Sequence, residues 1–289
     1  MSHKQEGSPE DERDPIYVLG RSEDEARGLE QRAEFENPPT RRLFEDAGIT
    51  TGMKVLDIGS GSGDVALLAA ELVGATGRVV GVDMNPAIAA AARARAQAAG
   101  MTHVSFIAGD IREVEVTHDF DAVVGRFVLM YSADPVATLR AALRAVHDDG
   151  LAVFYEANVG SPLVSHPISP LHQLLGRWVS ETFARGGVEL AMGAKLHQVF
   201  LAAGLEAPRM CTDALIGGGK DWVERFVSAF GASVLRSLMP LVLQYGVAAD
   251  HEIAIETFDR RYREEVLRQG SVIQWFPKVG AWARKRAAA

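Results

Sequence analysis

Residues 55–64 read VLDIGSGSGD, and the fold that we predict for the whole chain depends on this stretch. Its apolar start predicts a buried β-strand, and the glycines at positions 59, 61 and 63 lie where that strand would lead into an apolar, periodic helix. Glycine permits a positive φ and lets a ligand lie against bare backbone, beside the N–H groups that begin the helix. The stretch therefore predicts a turn that binds a nucleotide-like ligand.

The spacing of these glycines differs from the dinucleotide-binding fingerprint. A turn that binds a pyrophosphate usually reads G-x-G-x-x-G, whereas this chain has G-x-G-x-G with Asp57 two residues before the first glycine. A carboxylate at this position would repel a pyrophosphate and attract an ammonium group. The turn thus favours a ligand that carries an ammonium group, with a purely structural turn of an α/β sheet as the alternative.

The composition indicates a globular protein with a small-molecule partner. The 289 residues, 24% charged and 47% hydrophobic, suffice for one large domain, with or without a subdomain. A net charge of −8 argues against nucleic-acid and anionic-membrane partners. The single cysteine, Cys211, fits a reducing compartment. We see no apolar run long enough to cross a bilayer and no secretion signal, so we expect a cytoplasmic protein.

Strands and helices alternate with short connections between residues 54 and 157, which predicts a doubly wound, mostly parallel α/β sheet. Ligands bind such sheets at the carboxyl ends of the strands, where this chain places acids, glycines and an arginine. The predicted strands are 55–58, 78–82, 104–108, 120–124, 151–155, 209–215 and 271–283. Before them we predict a helix from Ser22 to Phe35, an interruption at Pro38 and Pro39, and a second helix over 40–47.

Four motifs in this order resemble those of class I S-adenosylmethionine-dependent methyltransferases. They are VLDIGSGSGD (55–64), VVGVDMNP (79–86), FIAGDI (106–111) and FDAVVGRFVLMYSADP (120–135). YVLGRSEDEARGLEQ (17–31) and VGAWARK (279–285) further resemble a bacterial small-molecule subgroup, distantly similar to the quinone-biosynthesis methyltransferases. The resemblance implies a seven-stranded Rossmann-like sheet and transfer of a methyl group from S-adenosylmethionine, leaving S-adenosylhomocysteine.

The resemblance also implies a division of the chain into a core with inserted caps. The inserted helices would cover the carboxyl edge of the sheet and select the substrate. The expected segments are a disordered N-terminus (1–15), lid helices (16–48), a cofactor-binding Rossmann-like core (49–157), a helical cap (158–190), a core helix and strand (191–216), a second cap (217–269), and a last strand with the C-terminus (270–289).

Cofactor contacts follow from the resemblance residue by residue. The glycines Gly59, Gly61 and Gly63 would approach the amino-acid and ribose parts, and Asp57 would favour the ammonium. Asp83 would accept both ribose hydroxyls, because a carboxylate has two acceptor oxygens. A capping role for a strand-end Asp, and a surface ion pair for an arginine there, are the alternatives. The other implied contacts are Asp110 at the adenine amino group, Met84 and Ile111 against the ring, and Arg126, Tyr17 and Gln31 at the methionine end.

A phenol or enol acceptor would benefit from a general base, whereas an amine or a nucleophilic ring carbon would need positioning alone. The candidates for such a base are Tyr17, Glu156, His166 and His172. The histidines could instead be surface or capping residues, and Glu156 could satisfy helix N–H groups. The spacing of the histidines fits no familiar metal motif, so we predict no metal.

The sequence thus predicts a methyltransferase that modifies O, N or C of a small, largely apolar or aromatic acceptor, such as a secondary metabolite. Aromatic residues in the cap supply apolar surface without a cluster of Lys and Arg, and exposed sides of the cap would be available for a homodimer. The alternatives are a non-catalytic S-adenosylmethionine-binding regulatory protein and a nicotinamide-dependent oxidoreductase.

Overall fold

The structure is a computed structural model, and it describes residues 23–286. Its helices are α1 Glu23–Ala47, α2 Asp64–Val73, α3 Pro86–Ala98, α4 Pro135–Leu143, α5 Pro170–Arg185, α6 Met192–Ala203, α7 Lys220–Phe230, α8 Ala232–Gln244, α9 Asp250–Ile253 and α10 Ile255–Gln269, with a short 3₁₀ helix at Leu129–Tyr131. Its strands are β1 Lys54–Ile58, β2 Arg78–Asp83, β3 Val104–Ala108, β4 Phe120–Arg126, β5 Val146–Ala157, β6 Val164–His166, β7 Arg209–Asp213, β8 Ile216–Gly217, β9 Val272–Gln274 and β10 Lys278–Arg284.

The predicted seven-stranded sheet is confirmed. Its strand order is β3-β2-β1-β4-β5-β10-β7, and β10 alone runs antiparallel to its neighbours β5 and β7. The central strands are apolar and buried because helices cover both faces of the sheet. One face packs against α1, α2 and α3, and the other against α4 and α6; α5, α7, α8 and α10, from the predicted cap segments, share the apolar cluster of this second face.

The predicted interruption at Pro38 and Pro39 is wrong, because α1 continues through both prolines. Each proline removes a backbone N–H and disfavours the preceding turn. Buried side chains on either side of the prolines anchor the helix to the sheet: Glu36 binds Lys278, and Phe44 lies in the core. Tertiary contacts therefore override the local signal.

The predicted cap segments contain breaks that the sequence did not show. In the second predicted cap segment (217–269), Gly231 separates α7 from α8. The predicted last strand is likewise divided, since β9 pairs with β6 and β8 in a small separate sheet. Of these two strands, β9 and β10, only β10 belongs to the seven-stranded sheet.

The expectation that no apolar run reaches membrane-spanning length is also wrong. The stretch Lys220–Gln244 is long and apolar enough by length and composition alone. It is broken at Gly231, and 53% of its most apolar window is buried inside the protein, as in a core helix.

Candidate functional site

The glycine turn after β1 has the bare, left-handed backbone that the motif predicts. Gly59, Gly61 and Gly63 have φ angles of 61°, 51° and 89°. A Cβ on residue 59 would lie 2.4 Å from Cγ2 of Val128, a side chain that follows β4. Gly59 therefore allows the turn after β1 and the segment after β4 to lie in direct contact.

Neighbouring elements hold the turn in place. The Gly61 N–H donates to Oδ2 of Asp83 at 2.8 Å, which joins the turn to the end of β2. From α3, Arg95 donates to the carbonyl oxygen of Ser62 at 2.6 Å and to Oδ1 of Asp64 at 2.9 Å. Sequence reasoning did not single out Arg95, since its contact with the turn depends on how α3 packs. The turn is thus fixed before any ligand arrives.

Asp57 is a buried carboxylate that accepts no hydrogen bond from the residues that the structure describes. Its side chain is 1% exposed, and neither carboxylate oxygen has a hydrogen-bond partner among the described residues. Burial raises its pKa well above the usual range, although the charge of Arg126 opposes this shift. The hydroxyl of Ser60, in the adjacent turn, is also buried and unpartnered in the described part of the chain. The Asp57 carboxylate fits a ligand ammonium and the Ser60 hydroxyl can donate to a ligand carboxylate, which agrees with the amino-acid part of S-adenosylmethionine.

Asp83 has the acceptor capacity that a ribose diol needs. Its Oδ1 accepts from the Asn85 N–H at 2.9 Å and its Oδ2 from the Gly61 N–H. A carboxylate offers about four lone pairs, so one is left on each oxygen. The adjacent Met84 side chain is 56% exposed, which leaves apolar surface for a ring beside the diol site. The sequence alternative of a helix cap does not apply to Asp83, since the side chain of Asn85 caps α3.

Both carboxylate oxygens of Asp110 already accept hydrogen bonds from Arg112. Arg112 donates from its backbone N–H to Oδ1 at 2.8 Å, and its guanidinium binds both oxygens. The Arg112 hydrogen bonds hold the pKa of Asp110 below its usual value. Ile111, next to it, is buried. Contact of Asp110 with the adenine amino group stays a prediction.

Arg126 lies at the end of β4 and faces α1. Its Nη1 donates to Oδ1 of Asn37 and to Oγ1 of Thr40, both at 3.0 Å. The alternative of a surface ion pair is therefore wrong, because both recorded acceptors are neutral side chains of α1. The same guanidinium acts electrostatically on Asp57. Arg126 thus connects the acid of the first motif with the helix that covers the sheet edge.

Glu156 holds the segment that follows β4. Its Oε1 accepts from the N–H groups of Val128 and Leu129 at 3.0 and 2.8 Å, and its Oε2 accepts from Met130 at 3.3 Å. Burial raises its pKa to about 7, and these three N–H groups oppose the shift. This geometry matches the alternative that Glu156 satisfies helix N–H groups, rather than the general base that we predicted.

The ring of His172, another candidate base, is bound by residues of α10 and β9. His172 is buried in the cap, where its Nε2 donates to the Gln274 carbonyl at 3.0 Å and its Nδ1 accepts from the Tyr262 hydroxyl at 2.5 Å. Both ring nitrogens are therefore occupied, and burial lowers its pKa to about 4. His172 has the geometry of a structural residue and not of the predicted base.

His166 and Gln31 make their recorded contacts with β9 and α7. His166 is exposed in the small sheet, where it pairs in register with Val272 of β9. Gln31 accepts a hydrogen bond from Ser228 of α7 at 3.1 Å, and its contact with the methionine end of the cofactor stays a prediction. Tyr17 lies outside the described residues.

A cavity of about 320 Å³ lies beside this edge of the sheet, between α1, α7 and the ends of β5, β7 and β10. Its apolar walls include Phe35 and Trp222, whose rings meet edge to face at 6.1 Å. Lys278 and Tyr155 line it from the sheet, and both are buried. The other lining residues are Glu34, Pro38, Pro39, Arg42, Asp213, Ala214, Leu215 and Arg225.

Lys278 is a functional candidate that sequence reasoning missed. Its side chain is 2% exposed, and its ammonium forms an ion pair with buried Glu36 of α1. A charged residue at an inward position of an otherwise apolar strand, here KVGAWAR, was the available signal.

Comparison with known proteins agrees with this site. A family model described as a methyltransferase domain matches residues 49–200, which is more than half of the chain. The chain belongs to this methyltransferase family. The match covers the glycine turn and every strand end described above except those of β7 and β10. It confirms the predicted family and, with it, S-adenosylmethionine as the cofactor.

Individual relatives of this methyltransferase are similar over part of their length. Aklanonic acid methyltransferase DauC of a Streptomyces species is 36% identical over 107 residues, 37% of this chain and 49% of that protein. The ubiquinone/menaquinone biosynthesis C-methyltransferase of Idiomarina loihiensis is 31% identical over 118 residues, 40% of this chain and 47% of that protein. The chain thus spans about half the length of the curated relatives it matches.

A solved structure supports the fold of the methyltransferase over a larger part of the chain. The YcgJ protein of Bacillus subtilis superposes with a TM-score of 0.56 at 17% identity, covering 87% of this chain and all of that one. At this identity the likeness concerns the fold alone.

Proposed function

We propose that the chain is an S-adenosylmethionine-dependent methyltransferase that modifies a small, largely apolar acceptor. The observation that carries this proposal is the buried Asp57 carboxylate, unpartnered within the described residues, beside a left-handed glycine turn and the Asp83 carboxylate. This combination suits a ligand with an ammonium at one end and a diol beyond it. Membership of the methyltransferase family supports the same conclusion.

Each part of the cofactor site has a stated partner. Asp57 and the Ser60 hydroxyl would hold the amino-acid end, Gly59, Gly61 and Gly63 would allow close backbone approach, and Asp83 would bind the ribose. Met84, Ile111 and Asp110 would border the adenine. When bound, S-adenosylmethionine supplies a methyl group on a sulfonium. The methyl group passes to the acceptor, and the sulfur is left as a neutral thioether. The protein therefore has to orient the acceptor and exclude water, more than to activate the donor.

The cavity lined by Phe35, Trp222 and Tyr155 is the place that we propose for the acceptor. Tyr155 pairs in register with Arg126, so the cavity lies next to the end of the cofactor site that contacts α1. Helix α1 covers both places, which would keep water from the reacting atoms. The aromatic walls favour a flat, apolar acceptor, modified at O, N or C.

A general base is not a fixed part of this proposal. Glu156 is engaged with the segment after β4, and His172 lies in the cap interior. Positioning of an acceptor that is already nucleophilic or ionised agrees best with these contacts. Tyr17 and His166 stay as predicted candidates.

Calorimetric titration with S-adenosylmethionine, with NAD as the control ligand, tests the cofactor part of the proposal. We expect one-to-one binding of the first and none of the second. Asp83→Ala should weaken binding by about 1.5–3 kcal/mol, the contribution of a hydrogen bond to a charged group. Release of S-adenosylhomocysteine during incubation with phenols, amines and indoles then tests turnover. Binding without release for any acceptor class would favour the non-catalytic alternative, and binding of NAD would refute the proposal.

The cytoplasmic location, the homodimer, the absence of a metal and the division into core and caps stay as predictions. Subcellular fractionation and light scattering of the purified protein would test the first two.

A further inference from the structure

We infer that the acceptor presents an anionic oxygen, such as a phenolate, enolate or carboxylate, and that Lys278 recognises it at the floor of the cavity. This inference rests on the proposed function, and it names the substrate class and the residue that selects it. It makes Lys278 a specificity-determining residue for an acidic, aromatic acceptor.

The ammonium of Lys278 has more N–H donors than the described residues supply acceptors for. A lysine ammonium carries three N–H donors. Among the described residues, Glu36 is its one recorded hydrogen-bond partner. The side chain is 2% exposed, so bulk water does not surround the other two donors. A buried donor without an acceptor is costly, and a ligand oxygen in the cavity would remove that cost.

Aromatic rings surround the ammonium, which favours an acceptor whose anionic oxygen is attached to an aromatic group. The Lys278 Nζ lies 5.9 Å from the centre of the Phe127 ring, which stacks on Tyr155 at 6.1 Å. Phe35 and Trp222 close the cavity from α1 and α7. A flat acceptor between these rings would bring an acidic substituent to the ammonium.

The other charges at the cavity are already satisfied or open to solvent. Asp213 accepts from the Tyr155 hydroxyl at 3.4 Å and from the exposed Arg42 at 3.3 Å. Arg225 lies 5.9 Å from the Phe35 ring. Lys278 is therefore the buried cation of this cavity within residues 23–286.

An isosteric pair of probes tests the inference without relying on turnover. We would measure the binding of 1-naphthoate and of 1-naphthamide by calorimetry, with S-adenosylmethionine at saturation. The two probes have nearly the same shape, but only the first carries an anionic oxygen at neutral pH. The wild type should bind 1-naphthoate tighter by about tenfold or more, which is the lower end expected for a charge-assisted hydrogen bond.

Two variants assign that preference to a residue. Lys278→Met alone would leave Glu36 buried and unpaired, so it is combined with Glu36→Leu, because replacing a buried pair by apolar groups is often tolerated. This double variant should lose the preference for the anion and keep its affinity for S-adenosylmethionine. Arg42→Gln changes an exposed cation of the same cavity and should keep the preference.

The outcomes separate the inference from the proposed function. Equal affinity of the wild type for the two probes, or a preference that survives in the double variant, would overturn the inference while cofactor binding still stands. Loss of the preference in Arg42→Gln would also overturn it, because the selecting cation would then be Arg42. A wild type that does not bind S-adenosylmethionine would instead refute the proposed function.

Discussion

Asp57→Asn should stabilise the protein without ligand and weaken its binding of S-adenosylmethionine. The carboxylate is buried without a partner in the described residues, and burial raises its pKa well above 3.8. A raised pKa means that the folded state disfavours the charged form, and a pKa difference of one between folded and unfolded states corresponds to about 1.4 kcal/mol. Wild-type stability therefore falls as pH rises from the unfolded to the folded pKa. The neutral Asn avoids this loss, so its advantage should vanish near pH 4 and be larger at pH 8.

The same substitution removes the carboxylate that we propose as the partner of the ligand's ammonium. A hydrogen bond to a charged group contributes about 1.5–3 kcal/mol, which corresponds to a Kd weaker by about tenfold to 150-fold. Urea unfolding at several pH values and calorimetric titration measure the two effects on one protein sample.

Asp83→Asn is the matched control, because both oxygens of Asp83 accept backbone N–H groups. Its amide would place a donor against one of them, at a cost of about 1–3 kcal/mol. Asp83→Asn should thus weaken binding and also lower stability, the opposite of Asp57→Asn. The reasoning fails if Asp57→Asn destabilises the unliganded protein at pH 8, or if the Kd for S-adenosylmethionine does not change.

Three further substitutions test the structure around the site. Gly59→Ala should lower the Tm and weaken cofactor binding. The new side chain would be held at a φ of 61°, which costs about 1–2 kcal/mol, and its Cβ would lie 2.4 Å from Val128. The control Gly48→Ala, with a φ of 98° and open space around the Cβ, should show the backbone strain alone. Glu156→Gln should abolish a loss of about 3 kcal/mol in wild-type stability as pH rises from 4.5 to 7, since the folded state keeps its proton until about pH 7. His172→Gln should abolish a similar loss of about 3 kcal/mol as pH falls from 6.5 to 4, since the folded state keeps the imidazole neutral. Urea titrations at the two ends of each pH range measure the change in the free energy of unfolding. If either assignment is wrong, the variant will show the same change with pH as the wild type.

Sequence reasoning predicted the parts of the site that depend on local pattern. The glycines at 59, 61 and 63 have positive φ, and Asp57 and Asp83 lie at adjacent strand ends, because one short stretch and its neighbouring strand determine both features. The parallel part of the sheet followed from the alternation of strands and helices over residues 54–157, whereas the seven-stranded arrangement came from the family resemblance.

The parts that depend on distant contacts could not be predicted. Lys278 and Glu36 are separated by 242 positions, and their pairing requires both the register of β10 and the course of α1 through two prolines. His172 is titratable and lies in a predicted cap, yet its partners Tyr262 and Gln274 are 90 and 102 positions away. A single sequence shows that such side chains exist and not which of them meet.

The two halves of the site are joined by one layer of polar side chains. Side chains alternate along a strand, so Asp57, Arg126, Tyr155, Lys278 and Asp213 lie toward the same face near the carboxyl edge of the sheet. Helix α1 covers this layer and contacts it twice: Asn37 and Thr40 bind Arg126, beside Asp57, and Glu36 binds Lys278, beside the cavity. Removal of α1 would therefore leave Arg126 and Lys278 without these partners and expose both the proposed ammonium site and the proposed acceptor cavity to water. The two prolines lie between these side chains, so a break of α1 at either proline would separate Glu36 and Asn37 from Thr40 and divide the contacts with the two halves of the site.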